Sequence, residues 1–149
     1  MLPLLLFIFG LLSALGALIG ELFVTSFLVD PSIVTQITFI PNPLSLLIFA
    51  FIEEGSKLLF LFQAKRRFHT LSTPILTGLM FGLGFSSLEF FALQFLSQLP
   101  SGPWYGIILL HIITSFLATL TITKTHTKKA ILATLLALTL IHFSYNILL

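Results

Sequence analysis

The chain has 149 residues, of which 57% are hydrophobic and only 8% are charged, and its mean hydropathy is +1.13. This composition excludes an ordinary soluble domain and indicates a polytopic membrane protein embedded in a lipid bilayer. The net charge of +2 does not indicate a nucleic acid partner, because the basic residues lie in short segments and not along one helical face. Since the chain has no cysteine, it has no disulfide or thiol chemistry.

Five apolar segments are each long enough, at about 20 residues, to cross a bilayer as a helix. They cover residues 2–29, 44–62, 74–99, 104–123 and 130–149. The first segment has no basic region before it and is longer than the apolar part of a signal peptide, so we interpret it as a retained helix. The sequence therefore predicts an all-α bundle of about five transmembrane helices that forms one domain over residues 1–149.

The basic residues predict the orientation of the bundle. Six of the seven lie in or beside the second and fourth connections, namely Lys65, Arg66, Arg67, Lys124, Lys128 and Lys129. The positive-inside rule places these two connections in the cytoplasm, with the N-terminus inside and the C-terminus outside. Trp104, Tyr105 and Tyr145 then lie toward the outer interface, where amphipathic rings are favoured.

Three ionisable residues interrupt the second segment: Glu53, Glu54 and Lys57. A charged side chain at the centre of a bilayer costs about 2.5 to 3.5 kcal/mol, so such residues usually face a protein interior or a cavity. Lys57 is four residues after Glu53 and three after Glu54, and it can pair with either. A structural ion pair that holds helices together and a functional site are both consistent with this pattern.

Further polar residues occur at a similar depth on the later segments. At a rise of about 1.5 Å per residue, Glu53, Glu89, His111 and His142 all lie within about 15 Å of the outer face. Asn146 is shallower and shares a helical face with His142. A single intramembrane histidine is usually a packing residue, but two histidines at the level of three glutamates favour a functional site.

Two features have no assigned chemistry. Glu21 lies at a similar depth in the first segment, where we expect it to be a buried hydrogen-bonding partner in a glycine-rich packing helix. Residues 30–43 form the first outer connection, and their β-branched part at 32–40 suits an interfacial segment, a strand edge for an extended substrate, or an ordinary partly buried loop.

The polar residues form motifs in a recognisable order. "EEGSK" at 53–57 matches E-E-x-x-K, "FSSLE" at 85–89 matches F-x-x-x-E, His111 follows, and "HFSYN" at 142–146 matches H-x-x-x-N. With these motifs on four successive segments, residues 50–149 resemble the PrsW family of intramembrane proteases. That family belongs to a superfamily with the type II CAAX prenyl endopeptidases and the APH-1 scaffold subunits of gamma-secretase.

Two positions depart from the PrsW pattern. Asn146 stands where PrsW-type sequences usually have Asp, which is closer to the CAAX proteases, whereas Glu89 stands where CAAX proteases have His. The subfamily and the substrate therefore stay open between the two groups. A cytosol-facing enzyme like the CAAX prenyl endopeptidases and a non-catalytic scaffold like APH-1 are the alternatives to a PrsW-type protease.

The resemblance implies an endopeptidase that cuts a membrane-anchored protein near the extracytoplasmic side, and we expect it in a prokaryotic cell membrane. It implies that Glu53 is the general base that activates water. The other roles it implies are orientation and charge balance by Glu54 and Lys57, water binding by Glu89, oxyanion contacts from His142 with Asn146, and water positioning or leaving-group protonation by His111.

A metal-dependent mechanism is the main alternative to this one. Three glutamates against one lysine leave an excess of two negative charges, which protonation of carboxylates or histidines, or one divalent ion, could relieve. Glu89, His111 and His142 would make a three-ligand zinc site with an open position for water, and Glu53 would still be the base. The sequence has no H-E-x-x-H helix, and we expect a metal-free glutamate mechanism without a cofactor. A proton path is disfavoured because the inner half of the bundle is almost entirely apolar.

Overall fold

The computed structural model describes residues 1–28, 42–68, 73–95, 105–125 and 127–148. Within these ranges the chain forms five α-helices and no strand: α1 Leu2–Leu28, α2 Pro43–Phe68, α3 Pro74–Phe95, α4 Tyr105–Lys124 and α5 Lys128–Leu148. The predicted all-α helix bundle is confirmed. Four of the helices, all except α2, are long and apolar enough to cross a membrane, so the protein is an integral multi-pass membrane protein. The orientation of the termini stays a prediction, and the segment 32–40 and Trp104 lie outside the described residues.

The second helix continues six residues beyond its expected end at residue 62. Its last turn contains Lys65, Arg66 and Arg67, which were expected in a connection. Lys65 Nζ donates a hydrogen bond to the carbonyl oxygen of Ile122 on α4 at 2.6 Å, which holds this turn against the bundle. Cations at a helix C-terminus also interact favourably with the helix dipole. The three basic residues are therefore compatible with the last turn of α2, and the prediction that the helix ends before them was wrong.

Helices α2 and α3 begin at capping residues. Asn42 Oδ1 accepts the backbone N–H of Ser45 at 2.8 Å, and Thr73 provides the corresponding hydroxyl before α3. Each cap is followed by a proline, Pro43 or Pro74, at the first helical position, where a missing N–H leaves no hydrogen bond unmade. These local signals define the starts of the two helices that carry most of the acidic residues.

The helices pack as a ring in the order α1, α3, α4, α5 and α2, and α2 also contacts α4 across the ring. Helix α2 therefore touches three other helices, α1, α4 and α5. In this position the charged residues of α2 contact protein, whereas on a lipid-facing helix they would contact hydrocarbon. The free-energy cost of placing them in a membrane is therefore much lower.

Glycines bring α3 close to both of its neighbours. A Cβ atom added at Gly82 would lie 2.6 Å from Ile112 Cα on α4, and one added at Gly84 would collide with the carbonyl oxygen of Phe7 on α1. Small residues at helix interfaces in membranes allow backbones to approach in this way. The approach of α3 to α4 places Glu89, two turns further along α3, within reach of α4 side chains.

An apolar core closes one side of the polar layer, the side toward the C-terminus of α2. It is formed by buried residues of α2, α3, α4 and α5: Leu58, Leu61, Phe81, Ala118, Ile122 and Leu138. A second buried group, Ala14, Ala17 and Phe85, lies where α1 meets α3. The buried ionisable residues are thus confined to one level of the bundle, next to this apolar core.

Candidate active site

Lys57 lies at the centre of the buried polar residues. Its ammonium group has three hydrogens, and the structure provides three acceptors: Glu54 Oε1 at 2.6 Å, His111 Nδ1 at 2.8 Å and Thr114 Oγ1 at 3.1 Å. The Phe85 ring lies against the same group, with its centroid 4.5 Å from Nζ. Lys57 therefore pairs with Glu54, which settles the choice that the sequence left open, and it joins α2 to α4.

The contact with Lys57 determines which nitrogen of His111 carries a hydrogen. An ammonium group only donates, so His111 Nδ1 accepts, and the hydrogen of the neutral ring lies on Nε2. His111 Nε2 donates it to Glu89 Oε2, which links α4 to α3. The Glu89 side chain is 26% exposed whereas His111 is fully buried, so Glu89 forms the open rim of the group.

His142 has the opposite arrangement. Its Nδ1 lies 2.9 Å from Glu54 Oε1, and because the ionised carboxylate only accepts, Nδ1 carries the hydrogen. In the neutral ring His142 Nε2 is then an acceptor, and it lies 3.6 Å from Glu53 Oε2. This distance is too long for a direct hydrogen bond. A water molecule that donates to both atoms would bridge them.

Glu53 differs from Glu54 in its partners. Both are buried, and in both the Oε2 atom accepts no hydrogen bond from the part of the chain that the structure describes. Glu54 is nevertheless held through Oε1, which accepts from Lys57 and His142, whereas Glu53 Oε2 lies 3.6 Å from His142 Nε2. Buried polar atoms are nearly always hydrogen-bonded to protein or to ordered water. The pair Glu53 Oε2 and His142 Nε2 therefore defines a position suited to a water molecule.

The structure brings together six of the seven site residues that the sequence predicts: Glu53, Glu54, Lys57, Glu89, His111 and His142. The seventh, Asn146, lies one turn after His142, is partly exposed and forms no hydrogen bond with this group in the described part of the chain.

Two further residues belong to the group. Thr114 accepts from Lys57, and its position three residues after His111 on the same helical face was the only signal for it in the sequence. Glu21 was expected to be a hydrogen-bonding partner within a packing helix, and its carboxyl group interacts with that of Glu53. No motif of the resemblance includes Glu21.

The residue types suit a metal, but their hydrogen bonds do not. Glu53, His111 and His142 each have a potential ligand atom within 4.8 Å of the others, a set with Glu53 in the place expected for Glu89. Both nitrogens of His111 are already engaged, since Nδ1 accepts from Lys57 and Nε2 donates to Glu89. Only Glu53 and His142 offer a free acceptor atom, so in this arrangement the three residues do not fit a three-ligand metal centre.

A group of buried carboxylates and imidazoles inside a bundle of membrane-spanning helices is typical of an intramembrane hydrolase. The chain belongs to the PrsW family: the family model described as "PrsW family intramembrane metalloprotease" matches residues 1–149. This match confirms the predicted family and extends it to α1, which the motifs did not include. Among curated proteins and among solved structures there is no match to the chain.

Proposed function

We propose that this family member is a metal-independent endopeptidase that hydrolyses a peptide bond of a membrane-anchored protein near the extracytoplasmic side, with Glu53 as the general base. The observation that supports this proposal most strongly is the buried Glu53 Oε2 atom, which has no hydrogen bond from the described residues and lies 3.6 Å from the free acceptor His142 Nε2. A general base must lie within hydrogen-bonding distance of the water that it activates, and a water molecule held by this pair of acceptors would meet that condition.

In the proposed reaction, a water molecule donates its hydrogens to Glu53 and His142. Glu53 takes a proton from this water as the water oxygen attacks the carbonyl carbon of the substrate, and it returns the proton to the nitrogen of the leaving amine when the C–N bond breaks. His142 Nε2 is an acceptor in this arrangement, so we assign it to water binding. The Asn146 amide, on the partly exposed side, would then donate to the oxyanion.

Glu54 and Lys57 act as positioning residues in this proposal. Glu54 fixes the His142 ring through Nδ1, while Lys57 holds Glu54 and His111 in place. Glu89 holds His111 and forms the rim through which water and substrate reach the buried group. A scaffold without chemistry would need Lys57, Glu54 and His142 as an interhelical connection, but that connection does not require Glu53, whose Oε2 atom lies beside His142 Nε2.

Purified protein is expected to be active without a metal. Elemental analysis in detergent should find no stoichiometric zinc, and strong chelators should leave turnover unchanged, because His111 has no lone pair available to a metal. A known zinc protease treated with the same chelator is the control. Stoichiometric metal that is lost together with activity, and whose return restores activity, would contradict the metal-independent mechanism.

The site is expected to face the extracytoplasmic side. Helical rise places it within about 15 Å of the face opposite the basic connections. An extended substrate segment at the outer end of a transmembrane anchor could reach this level, whereas a cytoplasmic segment would have to carry unpaired backbone amides through hydrocarbon.

Labelling with an impermeant thiol reagent tests this orientation, and the absence of native cysteine makes single replacements unambiguous. In intact cells we expect a cysteine at Ser101 to be labelled and a cysteine at Thr125 to be labelled only after the cells are opened. The reverse pattern would indicate that the site faces the cytoplasm, and it would favour an enzyme like the CAAX prenyl endopeptidases.

A further inference from the structure

Glu21 lies on the face of α1 that packs into the bundle. At the preceding residue, a Cβ atom added to Gly20 would lie 2.9 Å from Ile52 Cγ2, so this turn of α1 is directly against the turn of α2 that carries Glu53. One and two turns earlier on α1, Ala17 and Ala14 are buried in a cluster with Phe85 of α3. Spacings of three and four residues place these alanines and Glu21 on one stripe of the helix.

Since Gly20 and Ile52 are in contact, their chain neighbours Glu21 and Glu53 lie on facing turns, and the Glu21 carboxyl group interacts with the Glu53 carboxyl group and electrostatically with Glu89. Two ionised carboxylates have no donor to share and repel each other strongly in apolar surroundings. A carboxyl pair in this position is therefore stable when one proton lies between the two groups, so that one carboxyl donates to the other.

This contact matters because Glu53 has few other partners. Its neighbour Glu54 is held by Lys57 and His142, but Glu53 Oε2 accepts no hydrogen bond from the described residues and its distance to His142 Nε2 is 3.6 Å. A catalytic carboxylate that is free to rotate loses rate, since reacting groups must be held in the productive geometry.

We propose that Glu21 is a positioning residue that donates a hydrogen bond to Glu53 and holds its carboxylate toward the water position. This inference rests on the proposed role of Glu53 as the base. The motifs include site residues on α2, α3, α4 and α5 only, and this inference adds a site residue on α1.

Steady-state cleavage of a single-span substrate in proteoliposomes tests this role through two replacements of Glu21. Glu21→Leu, which keeps the bulk and removes the donor, is expected to lower kcat by about tenfold to a hundredfold. KM should stay near the wild-type value, because Glu21 does not touch the substrate. Glu21→Gln should restore most of kcat, since its amide N–H can donate to the Glu53 carboxylate. Leu22→Ala, at the exposed neighbouring position, is the control and should keep wild-type values.

The outcomes separate this inference from the proposed function. A wild-type kcat in folded Glu21→Leu, while Glu53→Gln is inactive, would overturn the role of Glu21 alone. If Glu21→Leu does not fold, the Gln variant decides: near-normal kcat supports the donor role, and folded but inactive Glu21→Gln contradicts it. An active Glu53→Gln variant would instead overturn the proposed function on which the inference rests.

Discussion

The Glu53→Gln protein is expected to fold like the wild type and to cleave a membrane-anchored substrate about a hundredfold to ten-thousandfold more slowly. The amide has nearly the same shape as the carboxylate, so the packing of α2 should not change. It cannot accept a proton from water, however, and the position between Glu53 Oε2 and His142 Nε2 would lose its base. Single-turnover cleavage of a single-span substrate in proteoliposomes measures this loss without interference from product release.

Folding of the Glu53→Gln variant can be checked by gel filtration and by thermal unfolding in detergent. Ser87→Ala is a suitable control, because Ser87 is exposed and its hydroxyl donates only to the Leu83 carbonyl oxygen within α3. Wild-type rates in both variants would remove Glu53 from the mechanism and would leave the family membership intact.

Lys57→Met is expected to lower the free energy of unfolding by about 3 to 5 kcal/mol, since removal of one partner leaves an uncompensated charge in a buried ion pair. The ammonium group contacts Glu54, His111 and Thr114, and it is completely buried. Methionine has a similar length but no donor, so Glu54 would keep only its contact with His142. Denaturant or thermal unfolding in detergent, followed by circular dichroism, measures the change.

Lys65→Met is the matched control, with the same replacement two turns further along α2. Lys65 is only partly buried and donates to a single carbonyl oxygen, that of Ile122. Loss of one such hydrogen bond to a charged donor costs about 1.5 to 3 kcal/mol at most, less than the loss expected at Lys57. Equal destabilisation by the two replacements would contradict the central position of Lys57 in the polar group.

Much of the site could be predicted because depth in a membrane helix follows from counting residues. The constant rise per residue placed Glu53, Glu89, His111 and His142 at one level, and the structure brings these residues together. The same count predicted an apolar half of the bundle on one side of this level, and the core around Leu61 lies there. Helical geometry is local, so these conclusions do not depend on how the helices pack.

The pairing within the site could not be predicted, because it depends on neighbouring helices. Lys57 is one turn from both Glu53 and Glu54, and only the positions of His111 and His142 decide that it pairs with Glu54. The histidine tautomers follow from this pairing, and the tautomer of His111 determines whether that ring can bind a metal.

Asn146 and Glu21 are two further residues whose contacts could not be predicted from the sequence. Asn146 shares a helical face with His142 but lies one turn beyond it, where the bundle is more open. Glu21 belongs to no motif, and its proximity to Glu53 results from the close approach of Gly20 to Ile52. Helical periodicity indicates which face of a helix is buried, but it does not identify the residue on the other side of the interface.

The central claim is that Glu53 drives proteolysis of membrane-anchored proteins, and a comparison of whole cells tests it for any substrate that they contain. Cells that produce the wild-type protein are compared with cells that produce equal amounts of Glu53→Gln, and the N-termini of all membrane proteins are identified by mass spectrometry. The account predicts new N-termini at the outer ends of transmembrane segments of single-span proteins, present with the wild type and missing with Glu53→Gln. Identical sets of N-termini in the two cell populations would contradict it.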